Sequence, residues 1–388
     1  FYTSTDQTRP LPLWCASQPG LIAPLLGLQF DPEVTALTST PAYKADRQYW
    51  LPGDRSVFRE IRLLLPNRFL DLSNGQVLRY WPTCPPEKLS LSEAVERSAA
   101  ILEGTLRAIT RRHPVTVPTT AGIDSRMTLA GSRDVSDRAF YYTFVCSSLT
   151  APDAADVAIP AALLPRLGLT HHIVECPDQM DEQFEECFMR NFPLAHRVWG
   201  RLVQGFYEHI PDGHVRLTSA VSEVAKQYYG AYYGSRLTGA GLARMTKRGE
   251  TEFTRRAFDE WIEGLPGRGD AQTLGYDTLD LFYWEQRAGC WAAMNFTESG
   301  VVQEVMSPFN CRDLLVTMLG VKPQLRCPPS FKLQMEIIRS LWPEALSLPI
   351  NPKAALPMLV RIKRAARRTV KSALLKSGMW KRRENPVG

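Results

Sequence analysis

The sequence predicts an α/β protein whose parallel β-sheet carries helices on both faces. Residues 115–117, 140–145 and 171–174 are short β-branched or aromatic segments, which have the composition of buried strands. Apolar residues at helical spacing lie between the last two segments, over 154–167. Strand–helix–strand alternation of this length is typical of a parallel sheet. A chain of 388 residues with 44% hydrophobic and 22% charged residues can bury the core that this fold requires.

The first 85 residues favour a separate, β-rich domain. Strands are expected at 11–17 and 61–66, and the Asn74-Gly75 pair predicts a hairpin between 69–72 and 77–81. Residues 86–112 then predict an amphipathic helix, for which Ser90 or Ser92 together with Glu93 supplies the N-terminal cap. We therefore expect domains at 1–85 and 86–352, followed by a C-terminal segment at 353–388.

The strand at 115–117 leads through a turn of small residues into a helix that we expect to begin at Asp124. Such a turn exposes backbone N–H groups beside the positive end of the helix dipole, which suits phosphate. Ser125 adds a hydroxyl donor, and Asp124 adds a carboxylate suited to a magnesium ion. An ordinary helix cap made by Asp124 or Ser125 is the alternative.

The segment from Thr120 to Ser125 resembles the Ser-Gly-Gly-x-Asp-Ser pyrophosphate loop of asparagine synthetases and their relatives, the β-lactam synthetases and lasso-peptide cyclases. Gly122, Asp124 and Ser125 match, whereas Thr120 and Ala121 depart from the pattern. The resemblance implies a fold like that of the adenine-nucleotide α-hydrolases, with ATP and Mg²⁺ as cofactors. The positions that it assigns to cofactor binding are Thr120, Ala121, Gly122, Ile123, Asp124, Ser125, Arg126 and Ser222.

A second motif, at 217–230, follows a predicted fourth strand at 215–217. It is similar to the family's Gly-Glu-Gly-Ser-Asp-Glu-Leu-Phe-Gly-Gly-Tyr segment, with Ser222 and Tyr229 as matches. Glu223 stands where the family has its second metal-binding Asp, so the resemblance implies that Asp124 and Glu223 share one magnesium ion. Ala220 replaces the family's first Glu, which lies near the substrate.

A third region begins with a predicted helix from Phe282 and continues to Asn310. Residues 304–310 are similar to the family's Glu-x-Arg-x-Pro-Phe-x-Asp, with Met306 and Asn310 as replacements. Glu285 or Glu304 is a candidate base toward an amine. A buried ion pair of Glu285 with Arg287 or another arginine is the structural alternative.

Three further positions follow the family pattern. An acidic residue, Asp153 or Asp156, precedes the helix at 154–167, and a Leu-Gly-x-x-His segment ends at His171, where we expect a packing role at the start of a strand. A late lysine stabilises charge on the phosphates and the acyl centre in the family. Lys353 is the first candidate for that role and Lys332 the second.

The N-terminal residues are similar to the back half of the family's glutaminase domain. Asp6 to Leu11 resembles its Asp-x-x-Gly-x-Arg-Pro-Leu stretch, and 56–81 resembles its closing segment. The family's nucleophile is an N-terminal Cys, whereas this chain begins with Phe1, and Cys15 is predicted to lie inside a strand. We therefore expect no glutamine hydrolysis by this chain, and a separate glutaminase is one source of ammonia.

The reaction implied by the resemblance is ATP-dependent amide formation. A substrate carboxylate attacks the α-phosphorus of ATP, and ammonia or an amine then displaces AMP. Intramolecular ring closure of a β-lactam or lasso peptide is an alternative, and a degenerate nucleotide-binding scaffold is a non-enzymatic one. The expected partners are a small-molecule or peptide carboxylate, an amine or ammonia donor and a second copy of the chain.

Charge is concentrated at the C-terminal end. Residues 353–383 hold eleven basic and no acidic side chains, which leaves 35 of the 46 basic residues against 40 acidic ones elsewhere, a balance of −5. An amphipathic helix with a solvated basic face is expected there, and an anionic surface is its alternative partner. The body lacks the basic-aromatic pattern of nucleic-acid binders. The eight scattered cysteines argue against zinc and favour reduced thiols in the cytoplasm.

Overall fold

The computed structural model describes residues 1–4, 11–46, 49–147, 149–191, 194, 196–230, 236–267 and 269–352. Phe1–Pro349 form one compact unit and Ile350–Gly388 a second. The expected domain boundary at residue 85 falls inside the first unit. Lys353, the basic segment at 353–388 and residues 5–10 of the glutaminase-like stretch lie outside the described residues.

The elements follow one another along the chain with short strands and mostly short helices. The strands are β1 (Tyr2–Thr3), β2 (Ile61–Arg62), β3 (Arg68–Asp71), β4 (Gln76–Arg79), β5 (Val115–Pro118), β6 (Ala139–Val145), β7 (His172–Glu175), β8 (Val215–Leu217), β9 (Gln272–Thr273), β10 (Tyr276–Asp277) and β11 (Val305–Met306). The helices are α1 (Pro19–Leu26), α2 (Pro32–Thr38), α3 (Pro41–Ala45), α4 (Leu91–Thr110), α5 (Ile123–Gly131), α6 (Ala155–Leu163), α7 (Glu182–Asn191), α8 (Arg197–His209), α9 (Gly239–Thr246), α10 (Glu252–Glu263), α11 (Thr278–Phe282), α12 (Ala293–Ser299), α13 (Arg312–Leu319), α14 (Pro323–Arg326) and α15 (Lys332–Leu341). A π-helix spans Tyr283–Ala292, and 3₁₀ turns span Arg133–Arg138, Pro165–Leu167, Ser222–Lys226 and Pro343–Leu346.

The central sheet has five parallel strands in the order β11-β8-β5-β6-β7. This confirms the predicted α/β fold with a parallel sheet flanked by helices. The chain moves outward from β5 through β6 to β7 and then returns to β8 on the other side of β5. Because crossover connections are right-handed, this reversal assigns α5 and α6 to one face and α8 to the other. The carboxyl ends of β5 and β8 therefore flank the crevice in which such sheets bind ligands.

The two helices that support the crevice have different reasons to form. Helix α4 begins with a capping box, in which the Ser90 side chain accepts from the Glu93 amide and Glu93 bonds back to Ser90. Helix α5 is buried over nearly its whole length, with Met127 and Leu129 fully enclosed, and it contacts α4 and α15. It therefore owes its position to packing more than to an amphipathic pattern.

The N-terminal 85 residues contain helices in addition to the short strands that we expected. Three helices, α1 to α3, occupy residues 19–45, and each has a proline, Pro19, Pro32 or Pro41, in its first turn. The predicted strand at 11–17 contributes a single bridge between Cys15 and Tyr2, and the one at 61–66 is two residues long. The β3–β4 hairpin around Asn74-Gly75 is confirmed.

The third region contains an element that its sequence did not predict. Residues 282–287, for which we expected a helix, form the last residue of α11 and the first half of a ten-residue π-helix that precedes α12. Phe282 is fully buried in a cluster with Trp261, Phe258 and Trp50.

Among the helices that the structure describes, none combines the length and the apolar character needed to cross a bilayer.

Candidate functional site

The three motif regions meet at the carboxyl edge of the sheet. Thr128 in α5 and Ser219, which follows β8, have their hydroxyl oxygens 2.8 Å apart. The Ser307 hydroxyl, just after β11, donates to the Ala220 carbonyl over 2.6 Å. The Thr218 amide donates to the Met306 carbonyl. Segments that are almost two hundred residues apart in the chain thus form one site beside β5, β8 and β11.

The Thr120–Ser125 turn is closed by its own hydrogen bonds. The Thr120 amide donates to the Ser125 hydroxyl, and the Gly122 amide donates to the Thr120 hydroxyl. The hydroxyl oxygens of Thr120 and Ser125 lie 2.8 Å apart, so the two side chains also form a hydrogen bond with each other. The Ala121 amide donates over 3.0 Å to Asp156. The expectation that this turn exposes its amides to an anion is therefore wrong for Thr120, Ala121 and Gly122.

The first turn of α5 has backbone amides that lack intrahelical acceptors. Gly122 is the N-cap residue and supplies no side-chain cap. The first amides of any α-helix, here those of Ile123, Asp124 and Ser125, have no intrahelical acceptor. They add to the positive end of the helix dipole. Neither Asp124 nor Ser125 occupies the N-cap position, so the alternative of an ordinary cap by either residue is not what the structure shows.

Asp124 joins the first motif to the second. Its Oδ1 accepts from the Ser222 hydroxyl over 2.6 Å, and its Oδ2 lies 2.5 Å from the Lys226 ammonium. The Asp124 and Lys226 side chains are 21% and 12% exposed, and Ser222 is fully buried. Ser222 and Lys226 begin and end one 3₁₀ turn, which directs both side chains to the same carboxylate.

Glu223 lies close enough to this pair to interact with it electrostatically. Burial and, after it, the negative charge of Asp124 raise the pKa of the Glu223 carboxyl to about 7, against the opposing effect of Lys226 and Arg287. A carboxyl with this pKa holds a proton for part of the time at neutral pH. Asp124, Glu223 and Lys226 therefore form one coupled cluster of charges.

The cluster can be compared with the magnesium site implied by the resemblance. Within the part of the chain that the structure describes, no group of three or more His, Cys, Asp or Glu side chains could hold a metal ion. Magnesium that accompanies a nucleotide needs only one or two carboxylates, because phosphates and water complete its shell. Asp124 and Glu223 fit that requirement, and the Ser222 hydroxyl adds a polar oxygen. The ammonium of Lys226 stands beside them.

Arg126 does not direct its side chain toward this cluster. It is completely buried, and its guanidinium donates to the carbonyls of Ala345, Leu348 and Pro349. Burial lowers the pKa of Arg126 to about 10. The assignment of this side chain to the cofactor is contradicted by these contacts, because its donors hold the segment at 345–349 against α5.

Glu285 has a structural environment and lies in a different cluster from Asp124. Its carboxylate is fully buried and accepts two hydrogen bonds from Arg79, one from Asn67 and one from the Trp261 indole. Four donors occupy the two oxygens, so none is left to abstract a proton from an amine. The structural alternative, an ion pair with an arginine, describes Glu285, and its partner is Arg79 rather than Arg287.

The other candidate residues lie at three different places. Glu304 is exposed beside β11, and its carbonyl accepts from the Arg216 amide. Lys332 is exposed at the start of α15 and directly follows Phe331, whose ring lies 5.8 Å from the Lys226 ammonium. Lys353 lies outside the described residues. Phe331 therefore contacts the cluster, and Lys332 is its neighbour in the chain.

Two positions of the first half of the sheet support the turn. Asp156, rather than Asp153, bonds to the Ala121 amide. The Thr143 hydroxyl donates to the Thr119 carbonyl over 2.6 Å, so His171 Nε2, 2.9 Å from the same hydroxyl oxygen, must be the donor in that contact. His171 therefore supports the strands and is not placed with the charge cluster.

Lys226 is the site residue that sequence reasoning missed. The family motif has Phe at the matching position, so comparison with the motif gave it no role. The available signal was spacing, because residues four apart in a helical turn lie on the same side, and Ser222 was already assigned to the site.

No protein-family model and no curated protein matches the chain.

Proposed function

We propose that this protein is an ATP-dependent ligase that adenylates a substrate carboxylate and transfers the acyl group to ammonia or an amine, as asparagine synthetases do. One observation carries the proposal. Asp124 after β5 contacts Ser222 and Lys226 after β8, which joins two motifs with the family's order and spacing at the switch point of a parallel sheet. The finer fold assignment, to the adenine-nucleotide α-hydrolase type, is part of this proposal.

The chemistry of the site supports a polyphosphate ligand. The start of α5 supplies backbone donors and the positive end of a dipole, and Lys226 supplies a cation. Magnesium bound with ATP at Asp124 and Glu223 would neutralise the phosphates and the pyrophosphate that leaves. The protein's own residues would orient the α-phosphorus toward the carboxylate and hold the leaving pyrophosphate.

The acceptor half of the reaction has fewer candidate residues. Ala220 lacks the carboxylate that the family carries there, and Glu285 is held by four donors. Lys353 and Lys332 are the two candidates for the charge-stabilising role, and Lys332 follows Phe331, whose ring lies beside Lys226. The proton that the amine loses would therefore pass to the substrate or to residues that the structure does not describe.

A nucleotide-binding scaffold is the second candidate function. It is favoured by the closed turn, since the amides of Thr120, Ala121 and Gly122 already have acceptors within the protein. The replacement of the family's Glu by Ala220 points the same way. An intramolecular cyclase is the alternative enzyme. The cluster would act on the phosphates of ATP, whichever carboxylate is activated.

The remaining proposals follow from this function. The N-terminal residues would be a glutaminase-like segment, and ammonia would come from a separate glutaminase or from solution. The eight cysteines are all free in the structure, which suits a cytoplasmic protein. A small-molecule or peptide carboxylate, a second copy of the chain, and an anionic surface for the basic segment are the proposed partners.

Exchange of radioactive pyrophosphate into ATP tests the proposal. Wild-type protein with magnesium and pools of amino acids, dicarboxylic acids or peptides should show acid-dependent exchange. Asp124→Asn should reduce it at least a hundredfold, because it removes a charge that acts on the phosphates and metal. Asp137→Asn, at an exposed position after α5, is the control and should retain exchange. Binding of ATP without exchange in any pool would favour the scaffold.

A further inference from the structure

Lys226 places an ammonium group where the proposed function places a divalent cation. Its Nζ lies 2.5 Å from Asp124 Oδ2, and its positive charge also acts on the Glu223 carboxylate. The two carboxyl groups and the ammonium together carry a formal charge of −1 at most, when Glu223 is ionised. A single negative charge is a weak attraction for a divalent ion, which usually binds where carboxylates outnumber cations.

The ammonium is held in this position by its surroundings. The Lys226 side chain is 12% exposed and packs over the Phe331 ring, with 5.8 Å from Nζ to the ring centroid. The 3₁₀ turn that begins at Ser222 fixes its stem on the Asp124 side. A lysine so placed competes with any other cation for the same carboxylate.

We infer that Lys226 is the built-in counter-ion of the Asp124–Glu223 pair and excludes a divalent cation from it until a polyphosphate ligand arrives. A triphosphate brings several negative charges of its own. With it present, the ammonium has phosphate oxygens to bind, and a divalent ion finds the extra oxygen ligands that it needs. The site therefore accepts the metal together with the nucleotide and not before it.

This inference rests on the proposed function only for the placement of the metal at Asp124 and Glu223. It makes a prediction for the nucleotide-free protein, in which no reaction occurs. At a given separation, the repulsion between the ammonium and a divalent ion is twice that between two unit charges. Removing the ammonium should therefore strengthen binding of a divalent cation at least tenfold.

The test is a titration of the full-length, nucleotide-free protein with Mn²⁺, in which free Mn²⁺ is measured by electron paramagnetic resonance. Wild type should bind Mn²⁺ weakly, and Lys226→Met should bind it at least ten times more tightly. Lys226→Arg keeps the charge and should behave as wild type. Lys88→Met, at an exposed position before α4, is the control for loss of a lysine elsewhere. Asp124→Asn in the Lys226→Met background should abolish the gain.

Two outcomes would overturn the inference. One is a wild type that already binds Mn²⁺ as tightly as the Lys226→Met variant, and the other is a gain that survives Asp124→Asn. If Lys226→Met does not fold, Lys226→Gln removes the charge and keeps a hydrogen-bonding group. A failure of the proposed function would instead appear in nucleotide binding and pyrophosphate exchange, and it would leave the Mn²⁺ result unchanged.

Discussion

Asp124 and Glu285 are carboxylates of two motif segments whose surroundings give them opposite tasks. Asp124 is partly exposed and contacts one hydroxyl and one ammonium. Glu285 is enclosed, and all its contacts are to the protein. The sequence could predict that both residues carry charge in important segments. It could not separate the two tasks, because Arg79 and Trp261 come from distant parts of the chain.

The Glu285–Arg79 pair should be essential for stability. Breaking a buried ion pair by removing one partner costs roughly 3–5 kcal/mol, since the other charge stays buried without compensation. We expect Glu285→Gln and Arg79→Met each to lower the free energy of unfolding by that order in urea titrations. The double variant should lose less than the sum of the two. Glu96→Gln, at an exposed position of α4, is the control.

This prediction also separates a structural role from a catalytic one. A catalytic base can be replaced by its amide with little change in stability but with loss of turnover. If Glu285→Gln unfolds at the same urea concentration as wild type, the structural assignment of Glu285 is incorrect.

Secondary-structure elements were predictable where a local signal was strong. Strands β5, β6 and β8 are buried, β-branched or aromatic runs, and they form where the sequence indicates them. Strand β11 has two residues and therefore no periodicity to detect. Inside the π-helix, Gly289 packs so closely on Pro66 that a Cβ would come within 2.4 Å of it, and this contact is a long-range one. Neither signal exists in the local sequence.

The cap of α4 gives a prediction for a single element. The sequence left Ser90 and Ser92 open as cap residues, and the structure selects Ser90, whose hydroxyl accepts from the Glu93 amide. Ser90→Ala should destabilise the protein by about 1 kcal/mol. Ser92→Ala should have little effect, because Ser92 is exposed inside the first turn. Thermal unfolding of both variants distinguishes them, and equal shifts would show that the cap assignment is wrong.

The whole molecule is tied together by contacts between its first 85 residues and the later helices. Tyr49 donates a hydrogen bond to Glu298 in α12, and both side chains are buried. Such pairs explain why the N-terminal residues belong to the same compact unit as the sheet. A resemblance to part of another domain cannot reveal this, because it depends on long-range packing.

Glu298 makes the stability of the molecule depend on pH. Burial raises the pKa of its carboxyl from 4.5 to about 7, so the folded state keeps a proton that the unfolded state has lost. The contribution of Glu298 to the free energy of unfolding is fully present below pH 4.5 and is lost as the pH rises through 7. Between pH 5 and 8, wild type should lose roughly 2 kcal/mol through this group. Glu298→Gln should remove that part of the dependence in urea titrations, and an unchanged pH profile would contradict the assignment.

The central claim is that the carboxyl edge of the sheet binds the phosphates of ATP. Calorimetry with α,β-methylene-ATP and magnesium tests it most directly, since this analogue cannot release pyrophosphate. Wild type should show saturable, magnesium-dependent binding that Asp124→Ala weakens at least tenfold and that Asp137→Ala leaves intact. Absence of binding to folded wild type, or binding that Asp124→Ala does not affect, would contradict the claim.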